Sequence, residues 1–205
     1  MLIYESNKTS IHVKANQPIF KDGDPVKGIY FIEKGKVKVL SKLGENNYRI
    51  VRLAGQDSIL GHRAIHFKKY HIAAETLEDT VLTFIPNDIF MKLIKANPDM
   101  AIYLISFLSE ELREAEDRMK YLSIADPKKR IAIILLKLAN TFGYSKKDKR
   151  LLEFTLRRTD IANMANTTYE TVIRSLAFLE EKGIIALRGK QIAILNEKRL
   201  SSFSK

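Results

Sequence analysis

The chain contains no cysteine among its 205 residues. Within it, disulfides, thiolate nucleophiles, zinc–thiolate sites and cysteine-ligated iron–sulfur clusters are therefore excluded. No apolar run approaches the roughly 20 residues that a membrane span needs. The opening Met1-Leu2-Ile3-Tyr4-Glu5 has neither the cationic start nor the apolar stretch of a signal peptide, and a cytoplasmic location is expected. Gly55, Gly61 and the other glycines form no phosphate-cradling loop. No Ser–His–Asp or paired-carboxylate arrangement can be argued from spacing. These absences point away from an enzyme.

Apolar residues make up 45% and charged residues 29% of the chain, an ordinary balance for a globular protein. The formal net charge is +11 and the pI is about 9.7. Its distribution is more informative. Residues 1–125 carry 18 positive and 16 negative groups, whereas residues 126–205 carry 17 positive and 8 negative. The last 80 residues thus hold a net of +9. A solvated lysine-rich surface would account for this, and so would a polyanion-binding C-terminal domain beside a near-neutral N-terminal one.

Residues 11–90 read as short strands. Ile29-Tyr30-Phe31-Ile32, Val37-Lys38-Val39-Leu40, Tyr48 to Leu53 and Val81 to Ile85 are β-branched or aromatic and partly alternating. Turn signals at 21–25, 33–36, 44–47 and 55–57 separate them, which suggests an antiparallel sandwich or roll. Phe31, Phe84 and Phe90 are expected to fill its core. At Asn97-Pro98-Asp99 the period changes: Asn97 suits a helix cap, Pro98 the first position and Asp99 the positive end of the dipole. Ala101, Ile105, Leu108, Leu112, Ala115, Met119 and Leu122 then recur at steps of four and three, a coiled-coil seam. Glu110, Glu111, Glu114, Glu116, Arg113, Arg118 and Lys120 lie around it. A helix of roughly 26 residues spans about 39 Å. That is long for one small β-domain to cover, so a homodimer is expected; packing on the chain's own β-domain is the other reading. Asp126-Pro127 repeats the cap-then-proline signal before a helix burying Ile131, Ile134, Leu135 and Leu138.

The stretch Leu156–Leu195 is the most informative. Thr159 is expected to cap a short helix through Ile161, Met164 and Ala165. Asn166-Thr167-Thr168 then forms a polar turn, and Thr167 with Glu170 reads as a capping box opening a second helix. That helix should bury Val172, Leu176 and Leu179 and expose Tyr169, Glu170, Ile173 and Arg174. Gly183 ends it, and 184–194 reads as a two-stranded wing with Arg188, Gly189 and Lys190 at its tip. Helix, tight turn, helix, hairpin is the winged helix-turn-helix order, whose second helix enters the major groove. Arg174 suits guanine O6 and N7, Glu170 suits cytosine N4, and Ile173 suits a thymine methyl. Arg158, Thr159, Thr168, Arg188 and Lys190 would lie near phosphates. A helical hairpin that docks protein is the alternative.

These residues resemble the catabolite-activator and fumarate–nitrate-regulator (Crp/Fnr) superfamily of bacterial regulators over nearly the whole chain. Ile19 to Pro25 followed by Ile29 to Val39 looks like its opening β-roll. Thr159-Asp160-Ile161-Ala162 and Thr168 to Arg174, closing in Leu179 to Ile185, look like its DNA-reading unit. The resemblance implies an α+β protein: an antiparallel, jelly-roll-like β-roll, a long dimerisation helix and a winged helix-turn-helix. It places base contacts on Glu170 and Arg174. A basic residue often precedes that glutamate, where this chain has Tyr169. The implied partners are double-stranded DNA at a palindromic operator, a second copy of the chain and RNA polymerase.

The sensor half departs from the family pattern. Cyclic-nucleotide binders have a Gly-Glu pair for the ribose, and an arginine with a serine or threonine for the phosphate. The matching positions here are Gly61-His62 and Tyr70-His71, with Arg63 nearby. A tyrosine supplies no fixed cation, so ordinary cyclic AMP binding is not expected. Gly61, His62, Arg63, Tyr70 and His71 stand as the candidate pocket for an effector whose identity is open. His62, His66 and His71 also raise a haem or metal sensor as an alternative. Lacking a paired cysteine or carboxylate set, they read better as loop histidines, and no metal or cofactor is assigned. The expected division is a sensor over 1–96, a dimerisation helix over 97–125 and a DNA-binding domain over 126–205.

Overall fold

The computed structural model describes residues 9–44, 47–124 and 126–204; the opening five residues and part of the 44–47 turn read above lie outside them. The chain divides into two compact units, 1–112 and 113–205.

The first unit is built on two four-stranded antiparallel sheets. One has the order β1 (Thr9–Val13), β8 (Thr80–Pro86), β3 (Gly28–Lys34), β6 (Ile59–Leu60). The other has the order β2 (Pro18–Phe20), β7 (Ala73–Thr76), β4 (Val37–Lys42), β5 (Tyr48–Ala54). All four strands read from the sequence are present. Alternation along β4 turns Val37 and Val39 inward with Phe20, Ile32, Leu60, Tyr70, Ala74 and Leu82, as the period-2 pleat requires. A second cluster joins Ile29, Ile59 and Ile85 to Phe90. Phe90 is buried, but it lies on a helix, α1 (Asn87–Ala96), and Phe31 and Phe84 are only half-buried.

Helix α2 (Pro98–Ser123) has the expected start, where Asn97 Oδ1 accepts from Asp99 N–H at 3.1 Å and Met100 N–H at 3.3 Å. Successive residues turn by about 100°, which gives the helix two working faces. Met100, Leu104 and Phe107 pack against the Ile29–Phe90 cluster, so one face does cover its own β-domain. The seam lies roughly a quarter-turn away. There Ile105, Leu108, Leu112 and Met119 are 40–65% exposed, while Ala101, Ala115 and Leu122 are half-buried.

In the second unit, Asp126 Oδ1 accepts from Lys128 N–H at 2.9 Å and opens α3 (Pro127–Phe142). Ile131, Ile134, Leu135 and Leu138 of α3 are buried as the stripe predicts. Helices α4 (Arg158–Ala165) and α5 (Tyr169–Glu181) follow, then the hairpin β9 (Ile185–Arg188) and β10 (Gln191–Ile194). A last helix, α6 (Glu197–Ser204), packs Phe203 on Phe178 with ring centroids 5.8 Å apart. Its one buried residue is Leu200, too little apolar periodicity for the sequence to announce it.

Candidate nucleic-acid interface

Asn166 sits in the left-handed region at φ 50°, and this residue turns the chain between α4 and α5. Asparagine tolerates that conformation better than other non-glycine residues. Arg130, buried on α3, donates from Nε to Ala165 O at 2.7 Å and also reaches Ile124 O. The first bond satisfies a carbonyl that the end of α4 leaves open, and the second one in the link that leads into α3. Nothing in the sequence marked Arg130, because its partner is 35 positions away.

Two cap assignments are corrected. The cap of α5 is Thr168, whose hydroxyl accepts from Thr171 N–H at 3.3 Å; the box read between Thr167 and Glu170 is out of register by one residue. The cap position of α4 is Arg157, with no side-chain bond, and Thr159 lies exposed in the first turn. Neighbouring hydroxyls offer equivalent caps in sequence, and the left-handed turn at Asn166 selects among those of α5.

Val172, Leu176 and Leu179 of α5 are buried, with Ser175 beside them. Tyr169, Glu170, Ile173 and Arg174 are all exposed. Glu170 accepts from its own backbone N–H and from the Thr168 hydroxyl, with Arg174 nearby. These hold its carboxyl below the usual range, so it is an acceptor at neutral pH. Arg174 is steadied from Thr171 Oγ1 at 3.3 Å. A cleft of about 660 Å³ runs between α4, α5 and the wing, lined in part by Arg158, Thr159, Tyr169, Ile173 and Lys190.

Arg158 and Arg188 differ from a plain phosphate-facing reading. The half-buried Arg158 donates to Lys190 O at 3.0 Å. Arg188 Nη1 donates to Asp148 Oδ2 at 2.6 Å. Gly189 takes φ 63° at the first position of the two-residue wing turn, which glycine does at no steric cost.

The candidate effector residues do not share one environment. Gly61 (φ 81°) lies against the Tyr70 ring and precedes a 3₁₀ turn, His62–Ala64. Tyr70 is buried, stacks on Phe20 with centroids 4.1 Å apart and donates to Gly28 O at 2.7 Å. Burial pushes its phenol up to about 12. His62 is buried and Arg63 exposed, and both turn to Glu111: Nε2 of His62 at 2.7 Å and Nε of Arg63 at 2.9 Å. Arg52 completes the group at 2.9 Å. Of the charges read around the seam, Glu111 is thus buried and turned to the β-domain. His66 is exposed, so it does not share a face with His62, and His71 stands edge-on to Phe67. Among the described residues, no helix is long and apolar enough to cross a membrane.

A model of the cyclic nucleotide-binding domain matches residues 10–97, and one of the Crp-like helix-turn-helix domain matches 129–203. The chain is 29% identical to electron transport regulator A of Shewanella oneidensis over 194 residues, 92% of this chain and 76% of that protein. It is 28% identical to the fumarate and nitrate reduction regulatory protein of Escherichia coli over 197 residues, 94% of this chain and 77% of that one. The fold superposes on FixK2 of Bradyrhizobium japonicum with a TM-score of 0.86 at 24% identity, covering 97% of this chain and 98% of the other. CooA of Carboxydothermus hydrogenoformans has a TM-score of 0.79 at 18% identity, covering 100% and 90%. With both domains matched in this order and regulators related along nearly the whole length, the chain belongs to the Crp/Fnr family of DNA-binding transcription regulators, not to a family of enzymes.

Proposed function

We propose that this regulator binds a palindromic operator as a homodimer, joined along Ala101, Ile105, Leu108, Leu112, Ala115, Met119 and Leu122. Residues 1–96 serve as the sensor, 97–125 as the dimerisation helix and 126–205 as the DNA-binding domain. Tyr169, Glu170, Ile173 and Arg174 of α5 read base edges. Thr159, Thr168, Arg188 and Lys190 meet the phosphate backbone, and Arg158 does so while holding the wing. RNA polymerase is the further partner expected of an activator.

One observation carries this reading. The N-terminal half of α5 exposes a donor, an acceptor and an apolar side chain together, on a helix whose other face is buried. That is the chemistry of direct readout, in a region of net +9. The sensor does not take cyclic AMP: Tyr70 occupies the core at one matching position, and His62 is committed to Glu111 at the other. The effector is another small molecule, or none is needed.

Selection of bound duplexes from a random pool, at fixed salt and without ligand, tests the assignment. An enriched inverted repeat with half-sites about 34 Å apart is expected. Glu170→Ala with Arg174→Ala should abolish the enrichment. An unchanged motif from that double variant would move base reading away from α5.

A further inference from the structure

We infer that Asp148 and Glu180 are positioning residues for DNA binding, which hold the wing in the pose that presents Lys190. The inference deepens the DNA-reading assignment above and rests on it. In a hairpin closed by a two-residue turn, the closing pair exchanges ladder bonds and the next pair does not. Here the closing pair is Arg188 with Gln191 and the next is Leu187 with Ile192. The amides of Leu187 and Ile192 therefore point out of the ladder and need partners elsewhere.

They find them on opposite edges. Glu180, on the recognition helix itself, accepts from Leu187 N–H at 2.6 Å. Thr155 Oγ1 accepts from Ile192 N–H at 3.3 Å, and Ile192 O accepts from Leu152 N–H at 3.0 Å. At the tip, Arg188 is held by Asp148, which is itself fixed by accepting from Arg150 N–H at 2.9 Å. Arg158 closes the set through Lys190 O. The base of the hairpin is anchored by the buried Ile185, Ile192, Ala193 and Ile194; toward the exposed tip, where a two-stranded hairpin by itself is marginal in water, these bonds set where the wing stands.

The placement of the two acids makes the inference testable by sign. Asp148 lies among Lys146, Lys147, Lys149 and Arg150, in a region read as polyanion-binding. As a merely solvated charge it would oppose DNA, and its removal would tighten binding. As a brace, its removal loosens the wing and weakens binding.

Asp148→Asn, Glu180→Ala and Glu180→Gln are compared with the wild type in two measurements. In the free protein, Asp148→Asn and Glu180→Ala should speed amide exchange across 185–194 while leaving 131–139 unchanged. Glu180→Gln keeps a carbonyl acceptor for Leu187 and should exchange like the wild type. On the duplex enriched by wild-type protein, at fixed KCl, the first two should bind about two- to fivefold more weakly, the range of an exposed polar brace. Glu180→Gln should bind at least as well as the wild type. Unchanged wing exchange, or tighter binding by Asp148→Asn, overturns the inference. A wild type that enriches no duplex counts against base reading by α5, and the exchange result still decides the brace.

Discussion

Glu111 shows how one buried charge is held in this fold. It is 8% exposed and meets Arg52 from β5 and His62 and Arg63 from the 3₁₀ turn. Burial alone would raise its carboxyl, but the His62 hydrogen bond and the charges of Arg52, His62 and Arg63 outweigh that and hold it at about 2. A folded value below the ordinary one near 4.5 means that the unfolded chain binds the extra proton first. The stabilisation is therefore complete above about pH 4.5 and is lost as pH falls toward 2. Acid unfolding followed by circular dichroism should show this dependence in the wild type and a weaker one in Glu111→Gln. Glu111→Ala leaves the mostly buried Arg52 and the buried His62 without their carboxylate, and at neutral pH it should lose about 3–5 kcal/mol in urea melts. A loss near zero would mean that the charges are solvated. Arg130→Ala removes the donor to Ala165 O and should cost about 1.5–3 kcal/mol. Neither residue was legible in the sequence. Glu111 reads as one acid among several on an amphipathic helix, and the cations that claim it lie about fifty or more positions earlier.

At the scale of elements, the long helix α2 follows from local signals. Its start is set by Asn97 and Pro98, and its seam by steps of four and three. The structure adds that a second face is used internally, through Met100, Leu104 and Phe107. That leaves the seam with no cover from its own β-domain at Ile105, Leu108 and Leu112, all exposed. Leu108→Glu with Leu112→Glu should therefore yield monomers in sedimentation velocity while helix content is retained. A double variant that stays dimeric would place the interface elsewhere. The turn between α4 and α5 gives a second prediction. Asn166→Gly should leave stability nearly unchanged, whereas Asn166→Val should cost roughly 1–2 kcal/mol, because a β-branched residue resists positive φ. Thermal melts of the two variants would check this. The short strands β1, β2, β6 and β7 escaped the sequence reading. β1 is largely exposed and polar, and β6 has two residues; such segments become strands only because a neighbour offers a ladder.

For the molecule as a whole, the two ends of the chain carry different chemistry: near-neutral charge in the first 125 residues and strong positive charge after them. DNA affinity should fall steeply with salt, since each phosphate contact releases counterions. Lys190→Ala should lower the log–log salt slope by about 1 without changing the preferred site. Glu170→Ala should keep the slope and relax the preference at one base pair, as titrations of matched and mismatched duplexes would show. A Lys190→Ala slope equal to that of the wild type would take the wing tip off the phosphate backbone. The sequence by itself determined the order of domains, the helix-turn-helix with its exposed face, the long helix with its exposed apolar stripe and the charge asymmetry, because periodicity, caps and turns are local and survive in one dimension. Only the tertiary structure decided that Thr168 caps the recognition helix, that Tyr70 belongs to the core and that His62 answers to Glu111. It also decided that the wing hangs on Glu180 and Asp148. Tyr70, His62 and Asp148 find partners forty or more positions away, whereas the Thr168 cap and the Glu180 bond are short-range and were settled by the backbone path between neighbouring, equally suitable groups.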